Sequence, residues 1–335
     1  MLCFGEMLLR MSPRLEGEWI RQSEMSVYVG GAELNVATAL ARWSLPAAYC
    51  TAAPDHYLTS EILDSLHQLG IDTESVLKTG QRLGTYYLPA GADLKHAGVI
   101  YDRAYSSFSE LKPGMIDWKK CLANKSWFHF SAISPALNES VAAVCVEAVK
   151  AASDAGLTVS IDLNYRSKLW QYGRPPVEIM QQLLPYCDVV MGNCWAAETL
   201  LEVPSPVRES RGKSNDELEK AALHSMGEIQ ARYARAKVFA YTYRLENEYW
   251  ALIKTKDGFA RSRHFRTGHA IDRVGSGDCF MAGLIYGMTR QWAAGAIVDF
   301  AASAAVGKLA EKGDATRQTV ADILQRLSNH ESLQA

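Results

Sequence analysis

The part of the sequence after residue 125 alternates short apolar segments with longer amphipathic ones, and this alternation limits the possible folds most strongly. It predicts strands over 127–133, 157–162 and 188–191, and helices over 139–155, 175–185 and 195–202. Further on it predicts a helix over 216–234, capped by Asn215 or Asp216. It then predicts strands over 237–242, 249–254 and 259–265, and helices over 277–290, 294–311 and 318–329. Such alternation is typical of an α/β fold with a mostly parallel sheet and helices on both faces. Ligands bind such sheets beyond the carboxyl ends of the strands.

The first 110 residues follow a different pattern. Apolar residues over 1–9 predict a strand that ends near Gly5-Glu6. Polar and aromatic segments over 17–29, 83–90 and 97–102 predict further short strands. Because these later strands do not alternate with helices, we expect them to form a small sheet that stands apart from the main one.

Composition excludes several classes of protein. In 335 residues, Lys and Arg total 35 and Asp and Glu total 37, so the formal charge is −2 and there is no basic excess for nucleic acid. No apolar run approaches the ~18 residues of a membrane span, and residues 1–11 are too short and too charged for a signal peptide. Seven cysteines without a C-x-x-C pair and eight scattered histidines indicate neither disulfides nor a metal site. We therefore expect a reduced, cytoplasmic protein.

A glycine-rich turn opens the helix predicted at 277–290, in the segment Asp-Arg-Val-Gly-Ser-Gly-Asp over 272–278. Glycines allow backbone N–H groups to approach an anion closely, and the helix N-terminus adds about half a positive charge. Gly275, Ser276 and Gly277 would therefore hold a phosphoryl group, and Asp278 would accept a proton from a substrate hydroxyl. A carboxylate in the first turn of a helix also stabilises the helix dipole, so the residues alone leave both roles open.

A second glycine pair, Gly30-Gly31, precedes an amphipathic helix with Leu34 and Ala37 on one face. Asn35 lies in the first turns of this helix, where Asn is a poor helix former. A hydrogen bond to a ligand would explain its presence, and an Asn at the protein surface is the alternative.

Together these two segments resemble the signatures of the ribokinase-like (PfkB) sugar kinases, Gly-Gly-x-x-x-Asn-x-Ala near the start and Asp-x-x-Gly-x-Gly-Asp-x-Phe near the end. They stand in the family's order, and the resemblance covers nearly the whole chain. It implies one ribokinase-like α/β domain over 1–335, with a β-sheet lid formed from about 10–29 and 83–106 that covers the sugar. It also implies ATP as the phosphoryl donor, with Mg²⁺ arriving on the nucleotide rather than in a site made by the protein.

Further segments resemble the 2-keto-3-deoxygluconate kinases of that family. These are Gly5-Glu6 with Leu9-Arg10, Tyr101-Asp-Arg103 with Ser106-Ser107, Asp162-Leu-Asn164-Tyr-Arg166 with Leu169-Trp170, and Gly313-Asp314. Guanidinium groups are suited to bind a carboxylate or a phosphate, and Arg166 would bridge the sugar and the phosphate. The resemblance implies that the sugar acid contacts Gly31, Asn35, Tyr86, Tyr101, Arg103, Arg166 and Asp314.

For the nucleotide, the resemblance implies contacts from Asn164, Arg166, Asn193, Thr242, Arg244, Gly275 and Gly277. Two departures from the family pattern fall in this group. Many members carry Asn-x-x-Glu after a middle strand, whereas this chain has Ala196 at the Glu position and its next acid is Glu198. The glycines usual after the strand at 237–242 are replaced by Thr242-Tyr-Arg244, and Arg244 would compensate by reaching a phosphate.

The expected function is ATP-dependent phosphorylation of the terminal hydroxyl of 2-keto-3-deoxygluconate. Two alternatives stay open: a kinase of a neutral sugar such as fructose or ribose, and an inactive sensor of sugar acids, which the departures in the nucleotide segment would allow. Apolar residues of the lid, such as Trp19 and Val27, need cover. Pairing two lids in a homodimer would supply it, and members of the family often pair in this way.

Overall fold

The computed structural model describes residues 1–13, 24–89, 98–207, 209–268 and 270–332. Over these residues the strands are β1 (Leu2–Phe4), β2 (Leu8–Ser12), β3 (Ser26–Gly30), β4 (Ala47–Ala53), β5 (Ile71–Asp72), β6 (Val76–Lys78), β7 (Gly84–Tyr87), β8 (Ile100–Asp102), β9 (Trp127–Ser131), β10 (Thr158–Asp162), β11 (Val189–Gly192), β12 (Val238–Arg244), β13 (Glu248–Thr255), β14 (Gly258–Arg261) and β15 (Phe265–Arg266). The helices of the same ranges are α1 (Ala32–Arg42), α2 (Tyr57–Gln68), α3 (Trp118–Leu122), α4 (Glu139–Asp154), α5 (Pro176–Leu183), α6 (Cys194–Leu201), α7 (Asn215–Arg232), α8 (Ser276–Thr289), α9 (Ala294–Leu309) and α10 (Val320–Ser332).

Within these ranges an 11-stranded main sheet has the order β14-β13-β12-β11-β10-β9-β1-β4-β5, with β15 beside β13 and β6 beside β4. All neighbouring strands from β12 to β5 run parallel. Strands β13, β14 and β15 add an antiparallel edge. The α/β fold with a mostly parallel sheet, predicted from the alternation of strands and helices, is therefore confirmed.

Alternate residues of the central strands face two separate hydrophobic cores, because successive strand side chains point to opposite faces of a sheet. On β9, Phe128 and Phe130 pack into the core shared with α3 to α7, whereas Trp127 packs into the other core. That second core is completed by α1, α2, α8, α9 and α10. Helices therefore cover both faces, and α1 and α8 lie together on one of them.

The small second sheet has the order β3-β2-β7-β8. Strand β2 pairs antiparallel with β3 and parallel with β7, and β7 pairs antiparallel with β8. Strands predicted over 17–29, 83–90 and 97–102 contribute to it, although Trp19 lies outside the described residues. Val27 and Ile100 are each 52% exposed, so this sheet carries apolar side chains at its surface.

Two local predictions were wrong. The single strand predicted at 259–265 is divided into β14 and β15, because the N–H of Arg263 donates to Asp299 Oδ1 over 2.7 Å instead of joining the ladder. Helix α7 was expected to begin with Asn215 or Asp216 as its cap. Ser214 caps it instead, in a reciprocal capping box with Glu217.

The seven cysteines all fall in the described part of the chain, where each is buried and unpaired. In the same part, the helices lack the combination of length and apolar character that crossing a membrane requires.

Candidate active site

A cavity of about 840 Å³ opens beyond the carboxyl ends of β9, β10, β11 and β12 and beneath the small sheet. The sequence-predicted site residues all line it: Gly31, Asn35, Tyr86, Tyr101, Arg103, Asn164, Arg166, Asn193, Thr242, Arg244, Gly275, Ser276, Gly277, Asp278 and Asp314. Residues from both ends of the chain thus meet in one place, as expected for a doubly wound sheet. Their individual roles in binding and catalysis stay predictions.

The glycine-rich turn, residues 275–277, forms the start of helix α8 on the cavity wall and is called the phosphate turn below. Gly275 caps the helix in the left-handed region, with φ of 78°. A Cβ atom at Gly275 would overlap the carbonyl oxygen of Asp314, so close packing also requires glycine here. The first N–H groups of a helix have no partner within it, which makes this turn suited to an anion.

Asp278 lies in the first turn of α8 and is 8% exposed. Burial raises its pKa to about 6, while the hydrogen bond from Asn35 and the charges of Arg166 and Lys308 oppose that rise. Asn35 Nδ2 donates to Asp278 Oδ2 over 2.7 Å. The carboxyl group is thus oriented in the cavity, with a pKa closer to neutral than an ordinary Asp, as a general base requires.

Asn35 therefore contacts the candidate base rather than lying at the surface. It is held there by helix α1, which begins after Gly31, a residue with φ of 132°. A Cβ atom at Gly31 would overlap the carbonyl oxygen of Glu6. Gly31 thus lets the start of α1 approach the segment after β1 closely, and Asn35 reaches from α1 across to α8.

The part of the cavity lined by Tyr86, Tyr101, Arg103 and Asp314 is called the sugar end, after their predicted ligand. The Tyr86 hydroxyl donates to Asp314 Oδ2 over 2.6 Å, and the rings of Tyr86 and Tyr101 lie 6.3 Å apart. Burial raises the pKa of Asp314 to about 6, and the neighbouring charge of Arg10 lowers it. The structure therefore places these side chains together on the cavity wall and joins Tyr86 to Asp314 by a hydrogen bond.

Arg103 forms a buried ion pair with Glu6, with Nη2 and Oε2 2.5 Å apart. Ser106 Oγ donates to the other oxygen of Glu6 over 2.5 Å. Glu6 thus fixes Arg103 at the cavity wall and balances part of its charge. No role was predicted for Glu6, although it follows Gly5 in one of the segments that resemble the family.

Two further buried carboxyl groups line the cavity, those of Glu33 in α1 and Asp162 at the end of β10. Burial raises the pKa of each to about 7, and the nearby charge of Asp278 adds to the effect. Glu33 accepts hydrogen bonds from both the N–H and the hydroxyl of Ser131, at 2.9 and 2.6 Å. No site prediction included Glu33. An acidic residue two positions after a glycine pair, at a helix start, was the available signal.

The part of the cavity lined by Asn164, Asn193, Thr242 and Arg244 is called the nucleotide end, again after the predicted ligand. Asn193 caps helix α6 by accepting the N–H of Ala196 over 2.9 Å. Arg244 Nη1 lies 3.5 Å from Ser276 Oγ, which brings this end up to the phosphate turn.

Glu198 does not join this end. It is exposed, it accepts the N–H of Ser205 over 3.4 Å, and it is absent from the described residues of the cavity wall. Throughout the described ranges, His, Cys, Asp and Glu side chains form no group of three suited to a metal ion.

Comparison with known proteins agrees with this geometry. The family model for pfkB family carbohydrate kinases matches residues 1–319. The solved structure of a 2-dehydro-3-deoxygluconokinase from Thermotoga maritima superposes with a TM-score of 0.88 at 31% identity, covering 98% of each chain.

Two curated relatives carry names of the same kind. A 2-dehydro-3-deoxygluconokinase of Bacillus subtilis is 25% identical over 85% of this chain and 82% of its own length. A 2-dehydro-3-deoxygalactonokinase of Haloferax volcanii is 32% identical, and the match spans 57% of this chain and 59% of that relative. The resemblance found in the sequence is confirmed: the chain belongs to the pfkB family of carbohydrate kinases and is an ATP-dependent sugar kinase.

Proposed function

We propose that this kinase phosphorylates the terminal hydroxyl of 2-keto-3-deoxygluconate or of a closely related keto-deoxy sugar acid. The observation that carries the proposal is Arg166 on the cavity wall. Among the described residues it has no carboxylate partner: its one hydrogen bond runs from Nη1 to the carbonyl oxygen of Tyr165 over 3.0 Å. Its charge opposes the rise in the pKa of both Asp162 and Asp278. A guanidinium without a carboxylate partner favours an anionic ligand.

Asp278 acts as the general base. It accepts the proton of the sugar hydroxyl as the oxygen attacks the terminal phosphorus of ATP, and the bond from that phosphorus to ADP breaks. The N–H groups of Gly275, Ser276 and Gly277 stabilise the charge on the transferred phosphoryl group. Burial of Asp278 raises its pKa to about 6, so the carboxylate is ionised at neutral pH and still basic enough to take a proton.

Gly31, Asn35, Tyr86, Tyr101, Arg103 and Asp314 hold the sugar acid in this proposal. Arg166 bridges sugar and phosphate, and the nucleotide end holds ATP. Mg²⁺ is bound mainly by the phosphates and water, because this ion keeps several waters and binds proteins through one or two carboxylates. Asp162 and Asp278 both line the cavity, and burial and the charge of Asp278 both raise the pKa of Asp162.

The exposed apolar side chains of the small sheet support a homodimer in which two such sheets pair. Val27 and Ile100 lie on its outer strands, and burying them against a second copy removes apolar surface from water. Sedimentation at micromolar concentration tests this part, and a monomer there would contradict it. The seven unpaired cysteines fit a reducing compartment such as the cytoplasm.

A neutral sugar is the second candidate, because Glu6 already balances the charge of Arg103. The first experiment is an ADP-release assay with Mg-ATP against 2-keto-3-deoxygluconate, 2-keto-3-deoxygalactonate, gluconate, fructose and ribose. Turnover with a keto-deoxy acid and little with fructose is the expected result. Turnover with fructose or ribose alone would refute the sugar-acid proposal, and binding of a sugar acid without turnover would favour a sensor.

The arginines are tested by two variants, Arg166→Met and the double variant Glu6→Gln/Arg103→Met. The double variant removes both members of the buried pair, so neither is left as an isolated charge. We expect each variant to raise KM for the sugar acid at least ~10-fold, the scale of one charge-assisted hydrogen bond, with a much smaller change for a neutral sugar. Equal changes for both substrates would contradict recognition of a carboxylate.

A further inference from the structure

Arg10 lies behind the sugar end, on strand β2 of the small sheet, and is 1% exposed. Its Nη1 and Nη2 atoms donate to the two carboxylate oxygens of Asp272 over 3.1 and 2.6 Å. Its Nε atom lies 2.9 Å from Oδ1 of Asp314, and its guanidinium carbon lies 4.5 Å from the centre of the Tyr28 ring. Arg10 and Asp272 are not among the described residues that line the cavity, so contact with a substrate does not explain the arrangement.

Asp272 connects Arg10 to two loops of the site. Its Oδ1 atom accepts the N–H of Val274 over 3.1 Å, and its Oδ2 atom accepts the N–H of Gly313 over 3.2 Å. Val274 directly precedes the phosphate turn, and Gly313 directly precedes Asp314. One buried carboxylate therefore holds both loops, and Arg10 holds that carboxylate.

Asp314 contributes to both parts of the site. Its side chain accepts the Tyr86 hydroxyl at the sugar end, over 2.6 Å. Its carbonyl oxygen packs so closely on Gly275 that a Cβ atom there would overlap it. Displacement of Asp314 therefore changes the sugar end and the phosphate turn together.

We propose that Arg10 is a positioning residue for phosphoryl transfer. Through Asp272 and Asp314 it keeps the sugar end and the phosphate turn at fixed positions relative to each other. The inference rests on the proposed function of this site. A guanidinium offers five donors in fixed directions and can meet two carboxylates at once, which an ammonium group cannot reproduce. Buried ion pairs add little net stability compared with apolar packing, whereas a displacement of about 1 Å can slow group transfer ~10²-fold.

The test compares Arg10→Met and Arg10→Lys with Arg82→Met as the matched control. Arg82 forms the same two-pronged contact with an aspartate, Asp102, over 2.9 and 2.7 Å, but at the surface of the small sheet. Turnover is expressed per sugar-binding site counted by calorimetry, so that loss of folded protein does not count as loss of rate. Amide hydrogen exchange of residues 272–277 and 313–316 is followed in parallel.

We expect Arg10→Met to lower kcat ~10²-fold with KM for ATP little changed, and to speed exchange in both segments. Arg10→Lys keeps the charge and the folded state, so it carries the test if the Met variant does not fold. It should still lower kcat at least ~10-fold, because Lys lacks the planar set of N–H donors with which Arg contacts two carboxylates. Arg82→Met should stay within about a factor of two of the unmodified protein in both measurements.

Unchanged kcat per binding site in the Arg10 variants would overturn the positioning role, even if those variants melt earlier. Failure of the proposed function gives a different result, in which the unmodified protein phosphorylates none of the sugars. The exchange data then decide on Arg10 separately: unchanged exchange in both segments of Arg10→Lys overturns the inference, and faster exchange there supports it.

Discussion

The two ends of the cavity are built differently. At the sugar end Tyr86, Arg103 and Asp314 are at most 5% exposed, and each is bonded to another side chain. At the nucleotide end the residues are all partly exposed: Asn164, Asn193, Thr242 and Arg244. Groups that are fixed before binding lose less conformational freedom when a ligand arrives. The side chains predicted to bind the sugar are therefore enclosed and fixed by bonds, whereas those predicted to bind ATP are more open to solvent.

The largest expected effect lies where the two ends meet, at Asp278. Asp278→Asn keeps the size of the side chain and one acceptor oxygen for Asn35 Nδ2, but it removes the base. We expect kcat to fall at least ~10²-fold, the scale of general-base catalysis, while both substrates still bind. Steady-state rates and calorimetric titration of the sugar acid and of ATP measure the two effects separately.

Asp64→Asn, the same change at an exposed position of helix α2, serves as the control. Near-normal turnover of the Asp278 variant would remove the base assignment. Loss of sugar binding would instead show that Asp278 is needed to bind the sugar as well as to accept its proton.

A second prediction measures how far the sugar end is fixed by its own ion pairs. Glu6→Gln leaves Arg103 buried without its counter-charge, and breaking a buried pair on one side costs about 3–5 kcal/mol in the free energy of unfolding. Asp102→Asn breaks the exposed pair with Arg82, which contributes only about 0–1 kcal/mol. Urea unfolding of the two variants gives the comparison directly. Equal losses would show that burial does not distinguish the sugar end from the surface of the same sheet.

Much of the fold and the position of the phosphate turn at the start of α8 could be predicted from the sequence, because both depend on local signals. Strand and helix periodicity lies within short windows, and the turn before Asp278 combines glycines with a helix start. The place of Arg103 on the cavity wall was predicted instead from the family resemblance of the segment that contains it. The predicted cap of α7 failed because Ser214 and Glu217 satisfy the helix start one residue earlier than expected.

The partners of these residues could not be predicted, because each depends on a contact between distant parts of the chain. Glu6 and Arg103 are 97 residues apart, and Arg10 and Asp272 are 262 apart. No local pattern indicates that Arg10, in strand β2, contacts Asp272, which lies shortly before helix α8. Burial of Glu33 likewise follows from the approach of α1 to β9, where Ser131 ends the strand.

The third prediction concerns pH, which should change stability and activity in opposite directions. Burial raises the pKa of Glu33 and Asp162 to about 7 and that of Asp278 and Asp314 to about 6. The folded state therefore binds protons that the unfolded chain has already lost, so stability rises as pH falls from 8 towards 5 and is lost as pH rises.

We expect Tm to be a few degrees higher at pH 6 than at pH 8, while kcat/KM falls below about pH 6 as Asp278 is protonated. Calorimetric scans and a pH–rate profile test both trends. Asp162→Asn removes one of the titrating groups and should flatten the dependence of Tm on pH. A Tm that decreases between pH 8 and pH 6 would contradict the buried, proton-binding carboxyls.

The smallest expected effect tests whether the phosphate turn works through its backbone. The Ser276 hydroxyl donates to the carbonyl oxygen of Arg273 over 3.2 Å, and its oxygen lies 3.5 Å from Arg244 Nη1. The hydroxyl therefore already has partners within the protein. If the N–H groups hold the phosphoryl group, Ser276→Ala should change kcat less than ~3-fold, within the range of a change that keeps the backbone. Gly275→Ala should lower kcat severely, because a Cβ atom there overlaps the carbonyl oxygen of Asp314 and the residue requires positive φ. Initial rates at saturating ATP and sugar give kcat for the two variants. A large loss of kcat in Ser276→Ala would show that the Ser276 side chain, and not only the backbone of the phosphate turn, holds the phosphoryl group. The phosphate turn would then depend on a fixed side chain, as the sugar end does.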